Sequence, residues 1–242
     1  MQAIKTMGLV KEYKDVKAVA GLDLEIQQGE LFSLLGVNGA GKTTTIKMLT
    51  GLTKPTAGDA LVGGYSIMME PDRVKGLLGV SPQETAVAPN LTVEENLALV
   101  SGIHGFSKEK TKGKIEELTG KFNLEPVLKR RASKLSGGWQ RRVSIAMALI
   151  SEPEILFLDE PTLGLDVIAR SELWDLIREL RGKVTIILTT HYMEEAEALS
   201  DRIVIMAEGK LLAVGTPAEL KGNAENFESA FIAIVKEGRA GR

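Results

Sequence analysis

The chain has 242 residues, 44% of them hydrophobic and 26% charged, which is ordinary globular composition with enough apolar material for a sizeable core. Its 30 basic and 32 acidic residues leave a formal net charge of −2, without the basic excess that nucleic-acid binders carry, so no nucleic-acid partner is expected. The absence of cysteine excludes disulfides and thiol chemistry, and only two histidines, His104 and His191, argue against a protein-liganded zinc site.

In chain order, Ala3 to Val10, Lys17 to Val19, Leu22 to Ile26 and Leu31 to Leu35 read as short strands punctuated by Gly21 and Gly29. The later runs LLGV (77–80), EILFLD (154–159), VTIILTT (184–190) and RIVIMA (202–207) are apolar without alternation. Short continuous strands of this kind, separated by helical stretches, predict a parallel sheet covered on both faces. Helices are expected after Lys42, Thr92, Lys108, Ser136, Val167 and Met193. The α/β core is thus interrupted by a mostly helical insert at about 85–150, with breaks expected at Gly102, Gly105, Gly113 and Gly120. Beyond residue 220 a short tail is expected to hold one amphipathic helix, Phe227 to Val235, and a loose GRAGR end. The basic clusters at 129–131 and 141–142 read as solvated surface. No apolar run approaches the ~20 residues that span a bilayer, and the N-terminus lacks the layout of a secretory signal. A cytoplasmic chain that meets a membrane only through a partner is expected.

GVNGAGKT at 36–43 follows the apolar strand LFSLL and opens the helix TTTIKMLTG, the setting that a phosphate-binding loop requires. Its glycines, Gly36, Gly39 and Gly41, let backbone N–H groups of Val37, Asn38, Ala40 and Thr44 turn toward an anion. Lys42 is placed to reach the β- and γ-phosphates, and the Thr43 hydroxyl to bind magnesium. ILFLDE (155–160) is a buried strand ending in two carboxylates, where open α/β sheets bind ligands. Asp159 suits the metal and Glu160 the attacking water, so that metal, positioning and oriented nucleophile are all supplied. His191 lies just past the next buried strand; a lone histidine is more often structural, but a strand adjacent to that of Glu160 would bring it to the γ-phosphate. Tyr13 is either a platform for the adenine face or a half-buried strand tyrosine.

LSGGWQ (135–140) is a second Ser-Gly-Gly turn at the start of a helix. Ser136 sits near the N-cap, and spacing alone leaves two readings open: a bound anion or a well-capped helix.

Taken together, GVNGAGKTT, Gln83 in GVSPQE, LSGGWQ, ILFLDEP, GLD at 164–166 and TTHYMEEAE resemble, in that order and spacing, the ATPases of ATP-binding cassette (ABC) transporters. The resemblance runs from about residue 3 to 220 and implies a P-loop NTPase ABC cassette of α/β class. Its parts would be a mainly parallel core sheet, an N-terminal antiparallel β subdomain and an α-helical insert that touches a transmembrane subunit. It further implies ATP and magnesium as ligands, with Thr43, Gln83 and Asp159 around the metal and Lys42, Gln83, Glu160 and His191 in catalysis. Tyr13 matches the adenine-stacking position, and Leu135, Ser136, Gly137, Gly138 and Gln140 a signature that meets the ATP of a partner cassette. Asp166 matches the loop that crosses the dimer interface. Two departures stand out: Val37 replaces a frequent proline, and Trp139 occupies a position more often Gln, Met or Glu. LDEPTLGLDVIARSELW and THYMEEAEALSDRI are most similar to exporter ATPases of the ABC-2 type, including the drug-resistance group. That implies a homodimer or paired cassette, peripheral on the inner face of the cell membrane, powering export. Importer ATPases, soluble non-transport cassettes and non-hydrolysing regulatory cassettes are the other classes. The short tail, the lack of a heptad run and the full set Lys42, Gln83, Glu160 and His191 argue against them in turn.

Overall fold

The computed structural model describes residues 1–240. The chain opens with β1 (Gln2–Tyr13) and β2 (Val16–Gln27), which form a long hairpin. Two expected strands are therefore one, β2, which carries Gly21 through at φ 82°. Val19, Leu22, Leu24 and Ile26 of β2 point inward while intervening residues face solvent, the alternation of a half-covered antiparallel sheet. β3 (Leu31–Gly36) is buried throughout and runs into α1 (Lys42–Leu49). β4 (Ala57–Val62), β5 (Tyr65–Ser66) and α2 (Pro71–Gly76) follow, and β4 and β5 complete a four-stranded antiparallel sheet in the order β2-β1-β4-β5.

After β6 (Leu78–Ser81) the chain is helical until β7. α3 (Val93–Ile103) and α4 (Lys108–Lys121) are joined by a turn at Gly105, then come two single 3₁₀ turns and α5 (Gly137–Leu149). Only Gly105 acts as a break; Gly113 and Gly120 lie within α4, and Gly102 within α3. The lysines and glutamates around the α4 glycines favour helix strongly enough to carry the cost of each glycine, about 1 kcal/mol.

The second sheet gathers β7 (Ile155–Asp159), then α6 (Val167–Leu180), β8 (Thr185–Thr190), α7 (Met193–Leu199), β9 (Arg202–Ala207) and β10 (Lys210–Gly215). Its order is β10-β9-β3-β8-β7-β6, parallel except for β10 against β9. β7 and β8 are buried at every position, as a sheet covered on both faces demands. α8 (Pro217–Lys221) and α9 (Phe227–Ala240) end the described chain. α9 seats Phe227, Phe231 and Val235 against Leu35, Ile203 and Ile205, and it extends to Ala240 rather than stopping at Val235. The last two residues of the expected loose end lie outside the described residues. Among the described residues no helix is long and apolar enough to cross a membrane.

Arg141 and Arg142 are not solvated surface: they are 5% and 9% exposed on the inner face of α5. Arg142 pairs with Glu172 and lies over the Trp139 ring, whereas Arg141 points its guanidinium at backbone carbonyls of the loop after β6. Adjacent arginines can be read as surface only until the carbonyls they satisfy are located.

α3 begins with a reciprocal capping box, in which Glu95 N–H donates to Thr92 Oγ1 at 3.2 Å and Thr92 N–H to Glu95 Oε2 at 2.8 Å. The bond from the Thr92 N–H, and after it one from the Thr92 hydroxyl to the same oxygen at 3.0 Å, hold the Glu95 carboxyl below its ordinary range. The folded state therefore binds fewer protons than the unfolded one across that window, and stability rises with pH through it. Glu95→Gln keeps the shape of the box without the charge. The advantage of wild type over this variant in urea unfolding should be present at neutral pH and shrink as acid protonates Glu95.

Candidate functional site

The edges of β3, β8 and β7 meet in one register: Leu35 pairs with Thr190, and Thr189 with Asp159. The loop after β3, the residues after β7 and the residue after β8 are therefore brought together at the C-terminal edge, where parallel sheets bind ligands. There they line a cavity of about 810 Å³ with Asn38, Gly39, Lys42, Thr43, Gln83, Glu160 and His191 on its walls. The hairpin closes one side through Val16, Lys17 and Ala18.

The loop backbone is fixed by close approach. A Cβ on Gly41, whose φ is +101°, would stand 2.4 Å from the carbonyl oxygen of Ala18. One on Gly36 would stand 2.4 Å from that of Met206. Only glycine lets this loop pass between hairpin and sheet while its N–H groups stay free to meet an anion. Lys42, 5% exposed, donates from Nζ to Gly36 O at 2.7 Å and Val37 O at 3.3 Å, and lies 3.7 Å from Glu160 Oε1. Burial pushes its pKa down, and Glu160 and Asp159 offset part of that. Its ammonium is thus held in a dry site whose weak backbone partners a phosphate would outbid.

Thr43 Oγ1 donates to Asp159 Oδ1 at 3.2 Å, and Thr189 Oγ1 donates to the same oxygen. Hydroxyl, carboxylate and the Gln83 amide are hard oxygen donors, and Thr43 and Asp159 are close enough to serve one ion; such a sparse set suits magnesium, which keeps several waters. Among the described residues no cluster of three or more His, Cys, Asp or Glu offers an all-protein metal cage.

Glu160 follows β7 in the left-handed region, φ 47°. Its N–H donates to Thr189 O at 3.1 Å and Thr189 Oγ1 at 3.0 Å, bonds that hold a conformation costing about 1–2 kcal/mol for a residue with a side chain. His191 Nδ1 stands 3.3 Å from Glu160 Oε2 without the alignment of a hydrogen bond, so it is a buried polar atom with no hydrogen-bond partner. His191 also stacks on Tyr192, ring centroids 4.2 Å apart. Gln83 sits in a loop whose Pro82 and Gln83 carbonyls both accept from Arg141 at 2.7 Å. Thr189 and Arg141 are thus site residues that motif reading passes over; the sign of the first was a hydroxyl pair, Thr189-Thr190, ending an apolar strand.

Two expected groups lie elsewhere. Tyr13, 45% exposed at the hairpin end, pairs across it with Val16, and Lys11 Nζ stands 4.9 Å from its ring centroid. The LSGGWQ turn borders a separate cavity of about 280 Å³ lined by Ser136, Gly138, Trp139 and Arg142 of α5 and by Asp166 and Ile168 of α6. Leu135 is buried, and Gln140 Nε2 donates to Ala132 O and Leu135 O, pinning the turn. Ser136 occupies the N-cap of α5 with φ −66° and ψ 162°, yet its side chain makes no capping bond. Asp166, at nearly the same angles, caps α6 by accepting from Ala169 N–H at 2.9 Å.

A glycine-lined phosphate loop with a buried lysine, facing two carboxylates and a histidine on adjoining strands, defines a P-loop nucleoside triphosphatase. The ABC transporter family model matches residues 19–163. A daunorubicin/doxorubicin resistance ATP-binding protein of Streptomyces peucetius is 42% identical over 223 residues, covering 92% of this chain and 68% of that one. A human phospholipid-transporting ATPase is 43% identical over 208 residues, 86% of this chain but only 12% of that much longer protein. Among solved structures, an ATP-binding subunit of an ABC transporter superposes with a TM-score of 0.85 at 28% identity, covering 96% and 99% of the two chains. A dimeric cassette in a post-hydrolysis state with ADP and Pi superposes with a TM-score of 0.79 at 27% identity over 88% and 98%. The chain belongs to the ABC transporter family, and it is an ATP-binding, ATP-hydrolysing cassette of that family, similar to its drug-resistance exporter group.

The packing of Gly41 against Ala18 gives a direct test. Gly41→Ala should cost at least about 2 kcal/mol of stability and weaken nucleotide binding, read with a fluorescent ATP analogue. Gly113→Ala, with nothing within 4 Å on α4, should leave binding unchanged and stabilise by about 0.5–1 kcal/mol.

Proposed function

We propose that this chain powers export: it closes with a second cassette around two ATP molecules and drives a separate transmembrane subunit. The observation that carries the hydrolytic half is the convergence of Lys42, Thr43, Gln83, Glu160 and His191 on one cavity. Lys42 and the loop N–H groups hold the β- and γ-phosphates. Tyr13 stacks on adenine from the hairpin. Thr43, Gln83 and Asp159 would hold magnesium, which when bound would supply positive charge to the phosphate oxygens. Glu160 orients and polarises the water, and His191 donates to the γ-phosphate, its buried Nδ1 turned toward Glu160.

Ser136, Gly137, Gly138 and Asp166 serve the other chain's nucleotide. Their cavity shares no lining residue with that of Lys42, so a single chain holds two half-sites. Val167 and Ile168, 76% and 72% exposed beside Asp166, supply apolar surface for the pairing. The dimeric cassette among the structural relatives supports the same reading.

Residues 3–220 form the nucleotide-binding domain, and residues 221–242 a tail. The helical segment at 85–150 meets the membrane subunit, for which Leu99 and Ile103 of α3, 47% and 74% exposed, offer contacts. A chain without a membrane-crossing helix among its described residues would act on the inner face of the cell membrane as a peripheral, cytoplasmic subunit. The likeness to drug-resistance ATP-binding proteins favours export over import.

Glu160→Gln keeps shape and loses the basic oxygen, so it should bind ATP normally, hydrolyse it at least about 100-fold more slowly, and elute as a dimer only with ATP and magnesium. Wild-type turnover would remove Glu160 from this role. For the shared site, Lys42→Ala and Ser136→Arg chains should each fail to dimerise alone. Mixed, they regenerate one site from an intact loop and an intact signature. Light scattering in magnesium-ATP at low temperature should report dimers in the mixture; no more dimer than in the separate samples would mean each signature serves its own chain.

A further inference from the structure

Four buried side-chain polar atoms among the described residues lack a hydrogen-bond partner, and three of them, His191 Nδ1, Arg170 Nε and Glu195 Oε2, belong to one corner beside the catalytic carboxylate. Tyr192 joins them: its ring stacks on His191 and lies 5.1 Å from the Arg170 guanidinium carbon. Native interiors hold few such atoms, so their clustering calls for an account.

Glu195 sits at the centre and is fully buried in the first turn of α7. Its two well-aligned hydrogen bonds fall on one oxygen, and the Thr190 hydroxyl also interacts with the carboxylate. Oε1 accepts from Thr162 Oγ1 at 2.8 Å and from Trp174 Nε1 at 3.0 Å. Thr162 belongs to the turn directly after Glu160, closed by Leu163 N–H on Glu160 O at 3.2 Å and Leu165 N–H on Thr162 O at 3.1 Å. Trp174 belongs to α6, and α7 begins two residues after His191, with Ala196 N–H on Tyr192 O at 3.2 Å. A single oxygen therefore ties together the segment behind Glu160, the segment behind His191 and the helix that Asp166 caps.

We propose that Glu195 is a positioning residue for ATP hydrolysis, its Oε1 clamping the turn after Glu160 to the helix after His191 and so fixing the separation of these two groups. The proposal rests on the roles given to Glu160 and His191 above. Oε2 itself lies buried without an aligned donor, which disfavours the charged form. Burial accordingly pushes the Glu195 carboxyl up, against the pull of Thr190, Thr162, Trp174 and the Arg170 charge. Glutamine keeps the shape of this side chain and an oxygen that can accept from both donors, which makes Glu195→Gln the discriminating variant.

The test combines steady-state ATP hydrolysis, equilibrium binding of a fluorescent ATP analogue and the indole N–H resonances of the full chain. Glu195→Ala deletes the shared acceptor and should lower kcat roughly 10- to 100-fold, with nucleotide affinity changed less than about twofold. The Trp174 indole N–H, assigned by its loss in Trp174→Phe, should shift upfield as its acceptor disappears. Glu195→Gln should restore kcat to within about threefold of wild type and return the resonance. Wild-type kcat in the Ala variant would overturn the proposal, as would a Gln variant as slow as the Ala one. Should Glu195→Ala fail to fold, Thr162→Val and Trp174→Phe each remove one donor; both should lower kcat several-fold at unchanged affinity, and normal kcat in both would overturn it. A Glu160→Gln chain that still hydrolyses ATP would sink the catalytic assignment instead, while the indole resonance would still report whether the clamp exists.

Discussion

The hydrogen-bonded register of β3, β8 and β7 is the constraint from which the site's geometry descends. Thr189 shows how much passes through it. Its backbone is paired with Asp159, its carbonyl oxygen accepts from Glu160 N–H, and its hydroxyl donates to Asp159 while accepting from Glu160 N–H. One residue of β8 thus holds the Asp159 carboxylate and the backbone of Glu160 just after β7, and the next position but one is His191. A slip of one residue in this pairing would turn every side chain on the strand to the other face. The uninterrupted apolar runs of β7 and β8 oppose that slip only weakly, because both faces are buried. The polar residues at their ends lock it.

That lock holds groups that would destabilise an ordinary core. Lys42, Asp159 and Glu160 are each less than a tenth exposed, and Glu160 adopts a backbone conformation that glycine would hold more cheaply. Buried ions repay their desolvation only with close partners. Here the partners are incomplete: Lys42 leans on two carbonyls, 3.7 Å from Glu160, and His191 Nδ1 lies 3.3 Å from Glu160 without an aligned hydrogen bond. The surrounding apolar clusters carry this cost, with Leu34, Ile46, Phe157 and Ile187 packed beneath the site. The arrangement is ready for a polyanion because the Lys42 ammonium is already desolvated and held in place beside the open loop.

Most of this chemistry was legible in the sequence because it is written in contiguous stretches whose context could be checked on either side. GVNGAGKT needed a strand before and a helix after, and ILFLDE needed a buried strand; both conditions hold. What escaped was information carried by distant partners. β4, β5 and β10 are short, and they become strands by pairing with β1, β4 and β9. Gly113 and Gly120 looked like breaks because glycine disfavours helix, yet α4 runs through both. Arg141 reads as surface in the sequence because nothing in QRR indicates that two carbonyls, 58 and 59 residues earlier, accept from its guanidinium. Glu195 carried no signal at all within THYMEEAEA: its neighbours Glu194 and Glu197 are of the same chemical type, and only the fold distinguishes it.

Thr92, Ser107, Asp166 and Thr216 all hold N-cap positions in extended backbone, and each side chain accepts from the N–H three residues on. Ser136 has that backbone too, and serine is among the best capping residues, yet its hydroxyl makes no such bond. Forgoing a cap costs about 1 kcal/mol. The turn does not lack order, since Gln140 ties it to Ala132 and Leu135, and Leu135 is buried. The first N–H groups of α5 and the Ser136 hydroxyl are therefore presented on a rigid base with their hydrogen-bonding capacity unspent, at the positive end of a thirteen-residue helix. Of the two readings that spacing alone left open, a capped helix would have used the serine. A turn that keeps it free leaves that hydroxyl and the first N–H groups available beside the exposed Val167 and Ile168.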